Sequence, residues 1–149
     1  MEVKVEKIGL SSLDAVIPLF DLYRQFYGQE SDTAVAREFL TVRVANDESV
    51  IYVARDGQGN ALGFTQLYPS FSSVSARRIW ILNDLFVSED ARGKGVGKAL
   101  MNAARLHATQ TFAKGLALST QKDNASAQAV YESLGYKKDD EFFHYFLTL

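Results

Sequence analysis

The sequence predicts one mixed α/β (α+β) domain with a largely antiparallel front half, and three observations predict it. Short runs alternate apolar and polar side chains in steps of two, and two early stretches repeat apolar side chains at helical spacing. A turn carrying Gly93, Gly95 and Gly97 then leads from the apolar run 79–87 into a further helical stretch. With 149 residues, 47% of them hydrophobic, the chain has the size for one core and not for two, so residues 1–149 are expected to form a single domain.

The alternation over 3–8 predicts a first strand. Ser11 or Ser12 can cap a helix reaching Tyr27, with Leu13, Val16, Ile17, Phe20, Tyr23 and Tyr27 toward one side. Pro18 should bend that helix or delay its start, because a proline beyond the first turn removes a backbone hydrogen bond. Asp32 or Thr33 can cap a second helix to Ala45. Strand-like runs 49–55 and 61–68 flank Asp56-Gly57-Gln58-Gly59-Asn60, a hairpin turn signal that makes the pair antiparallel. The serine-rich stretch 69–76 reads as a loop, and 77–87 as the next strand. Over 96–112 an arc of Val96, Ala99, Leu100, Ala103, Ala104, Leu106 and His107 predicts a helix packed on a sheet. A short strand at 116–119, a short helix at 125–134 and a final strand within 136–149 complete the order.

Composition narrows the function. A net charge of −2 and a pI near 5.7 argue against a broad basic face for nucleic acid. The absence of cysteine excludes disulfides, thiolate metal sites and a cysteine nucleophile. His107 and His144 have no partner at metal-ligand spacing, so no metal site is expected. Residues 1–7 alternate charged and apolar types, and no apolar run approaches the ~20 residues that cross a bilayer; a cytoplasmic protein without membrane attachment is the expectation.

The turn Arg92-Gly93-Lys94-Gly95-Val96-Gly97-Lys98 is where chemistry concentrates. Backbone N–H groups in the first turn of a helix lack intrahelical partners, and glycine lets a phosphate approach them. A nucleotide P-loop is excluded, because Gly93-x-x-x-Gly97-Lys98-Ala99 is one residue short and offers alanine where a metal-binding hydroxyl belongs. A dinucleotide fold would place its glycines after the first strand, and Lys98 stands where its third glycine belongs. Lys98 and Arg92 either add charge to a phosphate or are solvated.

Downstream, Asn124, Ala127, Tyr131, Gly135 and Tyr136 follow in the order Asn-x-x-Ala-x-x-x-Tyr-x-x-x-Gly-Tyr. Together with the glycine turn they resemble the acetyl-CoA signature of the GNAT N-acetyltransferase superfamily, and the likeness spans essentially the whole chain. It implies a central mixed, mostly antiparallel sheet of six to seven strands flanked by about four helices, in the order β-α-α-β-β-β-α-β-α-β. It implies acetyl-CoA as cosubstrate, with Arg92, Gly93, Lys94, Gly95, Val96, Gly97 and Lys98 on the pyrophosphate. The backbone of Leu85, Phe86 and Val87 would lie along the pantetheine arm, and Asn124 and Ala127 would meet the cofactor. Asn124 reads equally as a helix N-cap, and Leu85–Val87 equally as core.

The same resemblance makes Tyr131 the general acid toward the thiolate, although its helical position also suits packing. Related polyamine acetyltransferases carry Glu-Asp where this chain has Asn83-Asp84. Asparagine accepts no proton at neutral pH, which leaves Asp84 as the candidate base and Asn83 to orient a water or the amine. Strand alternation sends Asp84 to the face opposite Asn83 unless a bulge, typical of the family, intervenes. An aspartate in so apolar a strand must be hydrogen-bonded or hold a raised pKa. The segment Leu22-Tyr23-Arg24-Gln25-Phe26-Tyr27 looks like the first helix of the histone and polyamine (diamine) acetyltransferase branch. That likeness implies a primary amine as acceptor, a polyamine, an amino acid or a lysine side chain, and a small-molecule amine is the expectation. Tyr23, Phe26, Tyr27, Tyr68 and Phe71 can line its site with Glu30, and Asp21, Glu30 and Asp32 either attract a cation or are solvated. Alternatives are a protein lysine or N-terminal acetyltransferase and a non-catalytic CoA-binding sensor. A homodimer joined through the terminal strand is a further expectation.

Overall fold

The computed structural model describes residues 2–149, which divide into two units, one ending at Leu118 and one of Ser119–Leu149. In the first, strand β1 (Lys4–Ile8) precedes a 3-10 turn (Leu10–Ala15) and helix α1 (Ile17–Phe26). Pro18 delays the helix as expected: it sits in the first turn, where its missing N–H costs nothing. Helix α2 (Thr33–Ala45) begins at Asp32, whose carboxylate accepts from Val35 N at 3.1 Å. Strands β2 (Val50–Arg55), β3 (Ala61–Ser72) and β4 (Arg77–Val87) form an antiparallel meander. The Asp56 carboxylate closes the β2–β3 hairpin by accepting from the backbone N–H of Gln58 and Asn60, each at 2.9 Å. Helix α3 (Val96–Gln110) and the short β5 (Leu116–Ala117), parallel to β4, complete the sheet, in the order β1-β2-β3-β4-β5.

Three expectations are corrected. Strand β3 continues through Pro69 to Ser72 in place of the loop. Trp80 N donates to Gly115 O on the β5 side, so Pro69, opposite Trp80, turns its nitrogen away from β4, where β2 has already ended. The described residues form five strands, not six or seven. No strand forms over 136–149. Phe142, Phe143, Tyr145, Phe146 and Leu147 are exposed there, and a strand-like sequence becomes a strand only when an edge pairs with it.

The sheet has two apolar faces. Ile51, Val53 and Phe64 pack with Val16, Phe20 and Leu40 from the α1–α2 side, while Ala54 packs with Val96 and Leu100 from α3. Each large side chain so buried contributes about 1.5–3 kcal/mol relative to exposure. Leu106, expected on the buried arc of α3, is exposed, and Met101 is buried instead. His107 is buried with its ring 4.7 Å from Trp80 and 5.9 Å from Tyr52. Burial, with Lys7 and Arg78 nearby, lowers its pKa, so it packs as a neutral ring.

Close approach of β3 to the end of β4 depends on Gly63, where a Cβ would lie 2.6 Å from Phe86 O. That contact holds the last residues of β4 tight against β3.

Candidate active site

The register of β3 against β4 slips between Gln66 and Leu67: Gln66 faces Asp84 and Leu67 faces Leu82, so Asn83 is the extra residue of a β-bulge. The bulge reverses the alternation. Leu82 joins the α3 face with Leu67, whereas Asp84 turns to the α1–α2 face with Gln66, Phe64 and Phe86. Thr65 Oγ1 secures the distorted backbone by donating to Asp84 O at 2.8 Å.

Asp84 is buried with its carboxylate surrounded by donors. Gln66 Nε2 donates to Oδ2 at 2.5 Å, Asn83 Nδ2 donates to Oδ1 at 3.1 Å, and the Tyr23 hydroxyl lies close to the carboxylate. Burial raises the pKa of Asp84 above the usual carboxylate range, and the bonds from Gln66, Tyr23 and Asn83 pull it back. Tyr68 completes the group. Burial and the charge of Asp84 push its phenol up to about 12 and raise that of Tyr23 further, so both stay protonated as hydrogen-bond donors. A buried carboxylate of raised pKa, held by neutral donors, can accept a proton near neutral pH.

Beyond the bulge β4 has an open edge. Pairing with β5 ends at Ile81↔Ala117, whereas pairing with β3 continues to Val87↔Gly63. Ser88 N donates to Leu62 O, so by alternation Phe86 faces β3 and the N–H and C=O of Leu85 and Val87 face the open edge. Arg92 Nε donates to Val87 O at 3.0 Å, and its guanidinium lies 5.8 Å from the Phe86 ring centre. A cleft of about 360 Å³ adjoins this point, lined by Leu22, Gln25, Phe26, Phe86, Ser88, Glu89 and Arg92.

The glycine turn follows directly. Gly93 and Gly95 have φ of 76° and 81°, the left-handed region where a side chain is strained, and the space beside each is open. Gly95 is the N-cap of α3 and carries no capping side chain, so the N–H groups of Val96, Gly97 and Lys98 have no intrahelical partner. A diphosphate fits this cradle, with the positive end of the α3 dipole beneath it.

The remaining site candidates separate. Tyr27 is exposed, edge-on to Tyr23 at 5.1 Å, and Glu30 is exposed in the α1–α2 loop. Asp21 is no cation trap: Gln25, Ser31 and the Asp32 N–H all donate to it, lowering its pKa and tying α1 to the start of α2. In the second unit, helix α4 (Ala125–Ser133) carries Tyr131, half-buried with its ring 6.2 Å from Tyr136. Asn124 caps this helix by accepting from Ala127 N at 3.2 Å. Gln66 and Ser49 were absent from the sequence-based candidates. Gln66 carries a signal, since Thr65-Gln66 is a polar pair inside the apolar run 61–68, whereas Ser49, following Asn46-Asp47-Glu48, carries none.

The site is thus a mixed sheet whose fourth strand bulges and opens beside a glycine turn at a helix N-terminus. The chain belongs to the GNAT acetyltransferase family: the family model described as Acetyltransferase (GNAT) family matches residues 16–136. It is 48% identical over 147 residues to the uncharacterized N-acetyltransferase YhfO of Bacillus subtilis (strain 168), covering 99% of this chain and 98% of the relative. It is 36% identical over 111 residues to a probable acetyltransferase of Haemophilus influenzae, covering 73% and 76% of the two chains. Among solved structures, the crystal structure of a probable acetyltransferase superposes with a TM-score of 0.92 at 45% identity, covering 98% of this chain and 97% of that one. The protein is therefore a GNAT N-acetyltransferase. Enzymes of the family use acetyl-CoA as cosubstrate.

Proposed function

We propose that residues 1–149 work as one acetyltransferase domain that moves an acetyl group from acetyl-CoA to a primary amine of a small molecule, and that Asp84 is its base. The observation that carries this reading is the buried, donor-ringed carboxylate of Asp84, on the strand whose open edge leads to the glycine turn. A lysine-like amine is neutral only about once in 2,500 at pH 7. Asp84 takes the ammonium proton, directly or through a water held by Asn83, and frees the nitrogen lone pair. Bound acetyl-CoA supplies the acetyl group as an activated thioester. The Leu85 N–H, at the open edge, donates to the carbonyl oxygen as negative charge develops there, a role that Phe86 N–H cannot take because it faces β3. As the C–N bond forms and the C–S bond breaks, Tyr131 gives its phenol proton to the departing sulfur, and the second proton shed by the nitrogen restores the phenol while Asp84 releases the first to solvent. Tyr23 and Tyr68 border the carboxylate on the acceptor side, with Tyr27 and Glu30 farther out, and such phenol walls suit an alkyl amine.

The test is a CoA-release assay across polyamines, amino acids, aminoglycosides and a histone peptide. Release with free amines, together with a KM for acetyl-CoA raised on the order of tenfold in Gly95→Val, is the expected result. Release with the peptide alone would select a protein acetyltransferase, and acetyl-CoA binding without release would select a sensor. The exposed apolar run Phe142–Leu147 supports the homodimer expectation. Light scattering should give twice the chain mass; a monomer at micromolar concentration rejects the dimer.

A further inference from the structure

Gln66 is fully buried on β3, and the chemistry above assigns it nothing. An amide there needs both ends paired, since burial takes away the water that would otherwise satisfy it. Both ends are paired. Nε2 donates to Asp84 Oδ2 at 2.5 Å, and Oε1 accepts from Ser49 Oγ, itself buried, at 2.7 Å. Ser49 has a single hydroxyl proton, and giving it to Oε1 fixes which end of the amide faces the carboxylate. With the amide reversed, Oε1 would confront an ionised Oδ2 with no proton between them.

The two carboxylate oxygens therefore have different surroundings. Oδ2 is held from the interior by Gln66, while Oδ1 is met by the exposed Asn83. We infer that Gln66, oriented by Ser49, is a positioning residue that keeps Asp84 ionised and presents Oδ1 as the oxygen that receives the proton. The inference rests on Asp84 being the base. The other groups facing the carboxylate are Tyr23 from α1 and Tyr68 from β3, and Arg43 of α2 acts on Tyr68.

Removing a donor to the anion disfavours the charged form, so the pKa of Asp84 rises and the acid limb of kcat/KM against pH moves to higher pH. The measurement is that profile, with acetyl-CoA and the fastest amine of the assay above. Gln66→Leu should move the limb up by about one unit or more, leaving kcat/KM about tenfold low at a pH below the limb and near wild type above it. Ser49→Ala should move it the same way by less, and Ser49→Thr, which keeps the hydroxyl, should restore it. If Gln66→Leu fails to fold, the contrast between the two Ser49 variants decides. An unmoved limb in the Gln66 and Ser49→Ala variants, alongside its loss in Asp84→Asn, overturns the inference and leaves the base reading intact. Persistence of the limb in Asp84→Asn itself overturns both.

Discussion

Asp84→Asn is expected to lower kcat/KM by about 10²–10⁴-fold, the range for loss of a general base, while the KM for acetyl-CoA stays near wild type. The change is nearly isosteric, and the amide can keep neutral hydrogen bonds to Tyr23 and Gln66, so the bulge and the sheet register should survive. What it removes is the capacity to accept a proton. The loss should shrink as the assay pH approaches the pKa of the amine, because solvent then supplies the neutral nucleophile. A variant within about threefold of wild type at pH 7 would take Asp84 out of proton transfer. The wild-type acid limb has a defined sign. Burial raises the pKa of Asp84, so activity should fall as pH drops through a value above the usual carboxylate range.

Tyr131→Phe is expected to lower turnover by about 10²-fold or more with acetyl-CoA affinity largely unchanged, the signature of an interaction made only as the sulfur departs. Phenols as a class, with pKa of about 10, are matched to alkyl thiolates as proton donors. Phenylalanine keeps the ring and its packing with Tyr136, and isolates the hydroxyl. Equal turnover in the two proteins would leave Tyr131 a packing residue. A parallel rise in KM for acetyl-CoA would instead make it a binding contact.

Much of this arrangement is legible along the chain. Asp32 as a cap, Pro18 as a delayed helix start and the Asp56–Asn60 hairpin each depend on interactions within a few residues, and each forms as local chemistry dictates. The glycine turn is legible for the same reason: left-handed backbone at Gly93 and Gly95 is a local requirement. The terminal segment shows the limit of such reading. Its aromatic and apolar run specifies a strand only if some edge accepts it, and that condition lies outside the segment.

The sequence by itself determined the family, the elements up to α4 and a single carboxylate suited to the base role, because spacing and residue type are properties of neighbours in the chain. Only the tertiary structure decided which way that carboxylate faces and what holds it. The bulge at Asn83 and the Ser49–Gln66–Asp84 relay join residues 17 and 18 positions apart. Cross-strand register, set by how two faces of a sheet bury their side chains together, brings such residues within hydrogen-bond reach.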